Sequence, residues 1–339
     1  MKRLTLFIAA VCVCLLAAPV GNADAAKKIT IKAAHNGNLK PDDAQNMGFE
    51  VFKKMVEEKS KGEIVVQLYP AAQLGDARTI VEGVQMGTIE VGDVENGPMG
   101  RFVPEAMLWD LPYIFRDISH VHAVLDGPIG KEVQEKFLKI GIRHLGYNDG
   151  GFRSFTNSTR PIKSVADLTG LKIRVMESEV MISTINAFGA SAIPMAFGEL
   201  YSALQQGVVD GQENPMNLIE SQRFYEVQKY LSQTEHFYYP RQYIVSEKFW
   251  QKLSPEHQKI VAEAALAGCA TQRERIVVQE IEMLEALIKL GMEATLVKDI
   301  DKESFAAQAR EKVYPLFYTK IGGTEERGKD LIQRIIDTK

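Results

Sequence analysis

Cysteine is scarce. The chain of 339 residues holds three, and two of them, Cys12 and Cys14, lie in an apolar stretch that reads as a removable leader. Cys269 then stands alone, and a lone thiol makes no internal disulfide, so stability has to come from a buried core. Long apolar runs are scarce as well. Apart from Leu4 to Val20, broken only by Thr5, no stretch approaches the roughly 20 residues that a membrane span needs. No single sign of charge dominates: 40 basic residues face 44 acidic ones for a formal net charge of −4. There is no basic stripe or arginine-rich run, which argues against nucleic acid as a partner. HExxH, CxxC and carboxylates at metal spacing are missing, and so are GxSxG, GxGxxG and the Walker pattern. The sequence therefore offers no metal site, no cofactor cradle and no ready nucleophile.

The leader is the first positive signal. Lys2 and Arg3 precede the apolar stretch, and Ala23-Asp24-Ala25 follows as a small-x-small exit. Basic start, apolar middle and small-residue exit describe a secretory signal peptide over residues 1–25, with the mature chain beginning near Ala26. A membrane anchor fits less well, since no basic stop-transfer cluster follows. A lipid anchor at Cys14 lacks the small residue expected before it.

Strand-like and helix-like segments alternate in the rest of the chain, the pattern of an α/β architecture with largely parallel sheets. Strands are expected at Ile29 to Ala34, Ile64 to Tyr69, Ile89 to Val94, Leu171 to Val175 and Gln242 to Val245. Helices are expected from about Pro41 to Gly62, over Asp76 to Met86 with Gly87 closing, and from Ser119 past Pro128 to about Lys139. A second series of elements starts near Gly150-Gly151. The longest helix runs from Ser254 to Leu290, with Ser254 as N-cap, Pro255 at the first helical position, Gly291 able to take the left-handed C-cap and Gly268 as a bend. Such a helix reaches roughly 50 Å at 1.5 Å per residue, more than one small domain needs.

Arg153, Arg174 and Asn214 are the chemically informative residues. Arginine presents five donors in a flat, permanently charged fork that suits a carboxylate held by two parallel bonds. Arg174 falls near the carboxyl end of an expected strand, where open α/β sheets bind ligands. Asn214 sits in DGQENP, whose composition also fits a simple tight turn.

Several stretches resemble a known family: EEKSKGEIVVQLYPAAQLGD, LPYIF, GFRSFTNSTRPIKSVADLTGLKIRV, PMAFGELYSALQQGVVDGQENP and SQRFYEVQKYL. They are similar to the solute receptors of TRAP (tripartite ATP-independent periplasmic) transporters, of the dicarboxylate and sialate type. The resemblance covers essentially the whole mature chain. It implies a two-domain α/β clamshell with crossing strands and one long helix spanning both domains. The expected division is 26–150 plus 240–275 for one domain and 151–239 plus 276–339 for the other, with the ligand between them. It also implies a periplasmic monomer that delivers a small organic anion to the small and large membrane subunits of a sodium-coupled permease, without enzymatic activity. By the same resemblance Arg174 pairs with the ligand carboxylate, Arg153 is the second arginine, Asn214 bonds the same end and Phe197 lines the cleft. Glu95 and Asp76 would face the far end of the ligand, although Asp76 also fits the N-cap of its own helix. His35 and Asn36 lie in a loop that faces the cleft, and the segment around Arg241 departs from the sialate pattern. A module feeding a sensor kinase and a periplasmic enzyme acting on organic acids stay open as other readings. The identity of the acid is not written in these motifs.

Overall fold

The β-branched residues of ITIKAAH favour an extended backbone, and the first strand, β1, runs Ile29–His35. The structure, a computed structural model, describes residues 28–339; the leader, its cleavage site and Cys12 and Cys14 lie outside the described residues. Eight further strands follow: β2 (Ile64–Tyr69), β3 (Val91–Glu95), β4 (Ile142–Asn157), β5 (Lys172–Val175), β6 (Ser191–Pro194), β7 (Gly211–Asn214), β8 (Tyr230–Ser246) and β9 (Glu293–Thr295). They form one sheet in the order β2-β1-β3-β8-β4-β7-β5-β6, with β9 also paired to β8.

Two parallel trios, β2-β1-β3 and β6-β5-β7, stand at the ends of that order. The long antiparallel pair β4 and β8 joins them, in register from Ile142↔Ser246 to Asn157↔Tyr230 with shifts at three points. The architecture is α/β with two lobes that share crossing strands. One shift, between Asp149 and Phe152, contains Gly150 and Gly151. A Cβ on Gly150 would fall 2.0 Å from the Tyr239 ring, and Gly151 takes φ +93. The glycine pair expected to open a second series is thus the waist of one continuous strand.

The expected strand at Gln242 to Val245 is likewise the tail of a 17-residue strand. All but two residues of β8 are buried although many are polar, so the hydrophobic alternation that marks a strand is erased. The helix expected from Ser119 is two helices, Ile118–Leu125 and Pro128–Phe137. The cap of the first is Asp117, two residues before the expected Ser119, its carboxylate accepting from the His120 N–H. Pro128 has no N–H to continue that ladder, so it starts a new helix instead.

The long helix runs Pro255–Lys289, with Ser254 capping it and Gly291 at φ +100 just beyond its end. Its first half packs Val261, Ala264, Ala265 and Cys269 against Phe49, Phe52 and Tyr243 in the first lobe. Its last turns place Leu287 among Leu200, Ile219 and Phe224 in the second. Helices from Lys302 to Asp337 cover the opposite face and join the largest core cluster, which reaches into both lobes.

Gly268 has a packing role. A Cβ there would sit 2.7 Å from the carbonyl oxygen of Gly48, on helix Ala44–Lys59, and a Cβ on Gly48 would sit 2.8 Å from the oxygen of Gly268. In an exposed helix, Gly→Ala gains about 1 kcal/mol. Here overpacking costs about 1–3 kcal/mol, so Gly268→Ala should lower the urea midpoint. A raised midpoint would show that the two helices can part freely.

Candidate functional site

The carboxyl ends of the parallel strands face one another across a cavity of about 400 Å³, the position where open α/β sheets take ligands. Arg174 stands near the end of β5, level with Ile193 of β6 and Gln212 of β7. Asn214 ends β7, and Pro215 stops the strand immediately after it. From the other lobe, Glu95 ends β3 opposite Arg241 of β8, and Asn36 follows β1 directly.

Three buried arginines converge here, and their partners differ. Arg153 is fully buried, with Nε and Nη2 donating to the Glu213 carboxylate. Nη2 also donates to the Glu213 carbonyl at 2.5 Å and to Asn214 Oδ1 at 2.9 Å, and the guanidinium lies 4.6 Å from the Tyr239 ring centre. Burial works against its charge, but Glu213 overrides this and holds its pKa above the usual arginine value. Arg241 donates from Nε to Asp93 Oδ1 at 2.5 Å, and from Nη2 to the Asp93 carbonyl at 3.0 Å and Asn36 Oδ1 at 2.9 Å. Its Nη1 reaches the Tyr239 hydroxyl at 3.4 Å and lies 3.7 Å from Glu95.

Arg174 is as deeply buried as the others, at 1 % exposure, yet it is matched by no carboxylate within ion-pair distance among the described residues. Nε and Nη2 both donate to the Met195 carbonyl, at 3.0 and 2.6 Å, and Nη1 has no partner. Phe197 covers it with a ring centre at 5.8 Å. Desolvation pulls its pKa down to about 10, with Glu213 opposing and Arg153 adding to the shift. It therefore stays charged at neutral pH. A buried charge held only by one carbonyl is a costly arrangement that an incoming anion would relieve.

Seven of the nine residues singled out in the sequence line the cavity: Arg174, Asn214, Phe197, Glu95, Asp76, Asn36 and Arg241. Arg153 and His35 stand behind the wall. Arg153 is engaged with Glu213, so it braces Asn214. His35 stacks on Phe49 at 5.1 Å and its Nδ1 accepts from the Gly37 N–H, while burial first and Arg241 second pull its pKa down to about 3 and keep it neutral. Asp76 is an exposed rim residue whose Oδ1 caps the helix Ala77–Met86. Sequence reasoning passed over Glu213 and Asp93, which are the ion-pair partners of Arg153 and Arg241, and Tyr239, whose ring lies against both arginines. Asp93 and Glu95 had left a trace: two carboxylates at i and i+2 in VGDVE share one face of a strand. Among the described residues, no cluster of three His, Cys, Asp or Glu side chains could hold a metal ion, and no helix is long and apolar enough to cross a membrane.

Comparison with known proteins gives a consistent result. Residues 35–320 match the family model described as bacterial extracellular solute-binding protein, family 7. A solute-binding protein of Verminephrobacter eiseniae is 40% identical over 280 residues, covering 83% of this chain and 81% of its own. The crystal structure of a TRAP periplasmic solute-binding protein from Polaromonas, bound to D-erythronate, superposes with a TM-score of 0.84 at 37% identity, covering 92% of this chain and 99% of that one. Another, from Sulfurospirillum deleyianum with bound succinate, gives 0.83 at 31% identity, with 92% and 99% covered.

Proposed function

The chain belongs to family 7 of the bacterial extracellular solute-binding proteins, and from that premise we propose that it captures a small organic acid by the carboxylate and hands it to a TRAP-type membrane permease. The observation that carries the anion reading is Arg174, a buried guanidinium with an unpaired Nη1 at the wall of the cavity. A carboxylate placed there gains charge-assisted bonds and removes the charge imbalance at the same time. Relatives of equal structural similarity hold a hydroxylated monoacid and a dicarboxylate, so the family supports the acid head and leaves its tail open.

The mechanism is closure of two lobes on a ligand. Arg174 and Asn214 belong to one lobe, and Glu95, Asn36 and Arg241 to the other. An acid bridging them favours the closed form by its differential affinity for that form. The crossing strands β4 and β8 and the long helix tie the lobes together, with the glycine pair at the waist of β4 as the pivot. The lobe boundaries near residues 150 and 240 are part of this proposal. So are export through cleavage of residues 1–25, a periplasmic location, a monomeric state and docking on the small and large permease subunits.

A thermal-shift screen of organic acids tests the reading. A ligand present at one hundred times its Kd stabilises the folded form by about 2.7 kcal/mol. At least one acid should raise the melting temperature, and its uncharged amide or alcohol should not. The acid should also be recovered chemically unchanged after long incubation. Silence across the acids, or an equal response to the neutral analogue, would discard the anion clamp.

A further inference from the structure

The two lips of the cleft carry opposite charges. On the first lobe, Lys40 follows the cavity residue Leu39, and Arg78 lines the cavity itself. On the second, Glu177 lines the cavity, and Glu220 stands between the lining residues Leu218 and Gln222. Most ion pairs around the cleft stay inside one lobe. Arg78 Nε donates to Glu82 Oε1 at 2.9 Å, Arg241 meets Asp93 and Glu95, and Arg153 meets Glu213. Such pairs are the same whether the lobes stand apart or together. Lys40 and Glu220 differ: Nζ lies 3.5 Å from Oε2 across the mouth. Both ends of this pair are tied to the cavity walls. Asn46 Nδ2 donates to the Asn38 and Lys40 carbonyls at 2.8 Å each, which fixes the loop that leaves Asn36. Glu220 rides on the helix Met216–Ser221, separated from Asn214 by Pro215 alone. The other charges nearby are engaged elsewhere, Asp42 by Arg275 at 3.8 Å and Arg223 by Glu226 at 3.4 Å. Arg78 has a looser partner of the same kind. Glu82 is the first cause that raises its pKa, and Glu177 on the facing lobe adds to it, as does Asp76 on its own.

We propose that Lys40 with Glu220, and Arg78 with Glu177, form an electrostatic latch that holds the lips together and sets how long a bound acid is retained. This rests on the reading of two lobes that close on a ligand, and not on which acid is bound. Opening separates each pair and returns its charges to water, so the attraction acts on the closed form alone and shifts the equilibrium toward it. An exposed pair contributes up to about fivefold to such an equilibrium. Salt weakens it, because the screening length falls from about 30 Å at 0.01 M to about 10 Å at 0.1 M. Reversing one charge turns attraction into repulsion, a swing of about tenfold on the same scale. General attraction of an anion to the mouth predicts a different pattern. Lys40→Glu would then weaken binding and Glu220→Lys would strengthen it, whereas both break a latch.

Two measurements test the latch, and the first needs no ligand. Nitroxide labels at Gln73→Cys and Gln205→Cys, exposed positions on the two lobes, report the distance between them by pulsed EPR, with Cys269 buried and out of reach. In the unliganded protein the ratio of short to long distances should grow about fivefold as salt falls from about 0.5 M to about 10 mM. Lys40→Glu and Glu220→Lys should each abolish that growth, and the double reversal should restore it. Arg78→Glu and Glu177→Arg should repeat the pattern, and a cycle without coupling there would strike the second pair from the latch. The second measurement is stopped-flow release of succinate and D-erythronate, the acids held by two relatives. At low salt each single reversal in the Lys40–Glu220 pair should speed release by about tenfold, and the double reversal should return it to within about twofold of wild type. A distance ratio indifferent to salt and to charge overturns the latch. So do affinities that the two single reversals move in opposite directions while the release rates stay unchanged. If no acid binds while the distances still respond to salt and to charge, the acid reading falls and the latch stands.

Discussion

Arg174→Ala should weaken acid binding by about a thousandfold and leave the unliganded protein at least as stable as before. The binding loss follows from two charge-assisted hydrogen bonds, each contributing about 1.5–3 kcal/mol. The second half of the expectation is less usual for so deeply buried a side chain. Arg174 carries its charge in a desolvated place with only the Met195 carbonyl as acceptor, and desolvation is the first cause of its lowered pKa. Removing it therefore relieves a cost in the unliganded state, offset by the lost packing against Phe197. Arg174→Met, which keeps the stem and drops the charge, should come out more stable than Arg174→Ala. Arg174→Lys should also bind poorly, since a single ammonium cannot supply the planar fork. Calorimetry reads the affinity and urea denaturation the stability. Wild-type affinity in Arg174→Ala would remove the clamp. A loss of several kcal/mol in stability would mean that the side chain serves the fold.

What could be read from the sequence was local chemistry. Helix ends were legible because capping involves residues a few positions apart: Asp76 and Gly87 bracket one helix, and Ser254 and Gly291 bracket the longest. Of the short parallel strands, β1, β2, β3 and β5 were legible because each carries an apolar run between turns, whereas β7 reads as a turn because GQEN offers no apolar side chain. The crossing strands were not. His144 Nε2 contacts Gln242 Oε1 at 2.6 Å, and Asn148 Nδ2 donates to Asp93 Oδ2 at 2.5 Å. Such buried polar pairs are satisfied across strands, by residues 98 and 55 positions apart. Within any sequence window they look like loop residues, and with three glycines in β4 the strand signal vanishes.

The site shows the same boundary. The motif placed both Arg153 and Arg174 at the cleft, and residue type alone treats them alike. What separates them is the position of one carboxylate. Glu213 lies 60 residues from Arg153 in the chain, and β7 sits beside β4 with Asn214 opposite Ser154. Strand pairing thus gives Glu213 to Arg153 and leaves Arg174 for a ligand. In the proposed site Arg153 is held by Glu213 and Arg174 meets the ligand, a division set by topology rather than by residue type.

Glu213→Gln should accordingly be the damaging counterpart of Arg174→Ala. Glu213 is fully buried and accepts from Arg153 Nε and Nη2. Substituting it leaves Arg153 charged, desolvated and beside Arg174, two neighbouring guanidiniums with no counter-ion between them. Breaking one side of such a buried pair costs about 3–5 kcal/mol, a large share of the roughly 5–15 kcal/mol that a domain has. The nearby His236 offers no compensation, because an imidazole supplies no negative charge; burial first and Arg153 second keep it neutral. Replacing both partners, as in Arg153→Met with Glu213→Leu, should recover much of the loss, since well-packed apolar residues often match a buried ion pair. The ligand supplies the sharper check. Its carboxylate would be the missing counter-ion, so a saturating acid should stabilise Glu213→Gln by more than it stabilises the wild type, read as the difference in melting temperature with and without acid. An equal shift in the two proteins would mean that the bound head group does not share the field of Arg153 and Arg174, and the charge argument for the cleft would fail at its root.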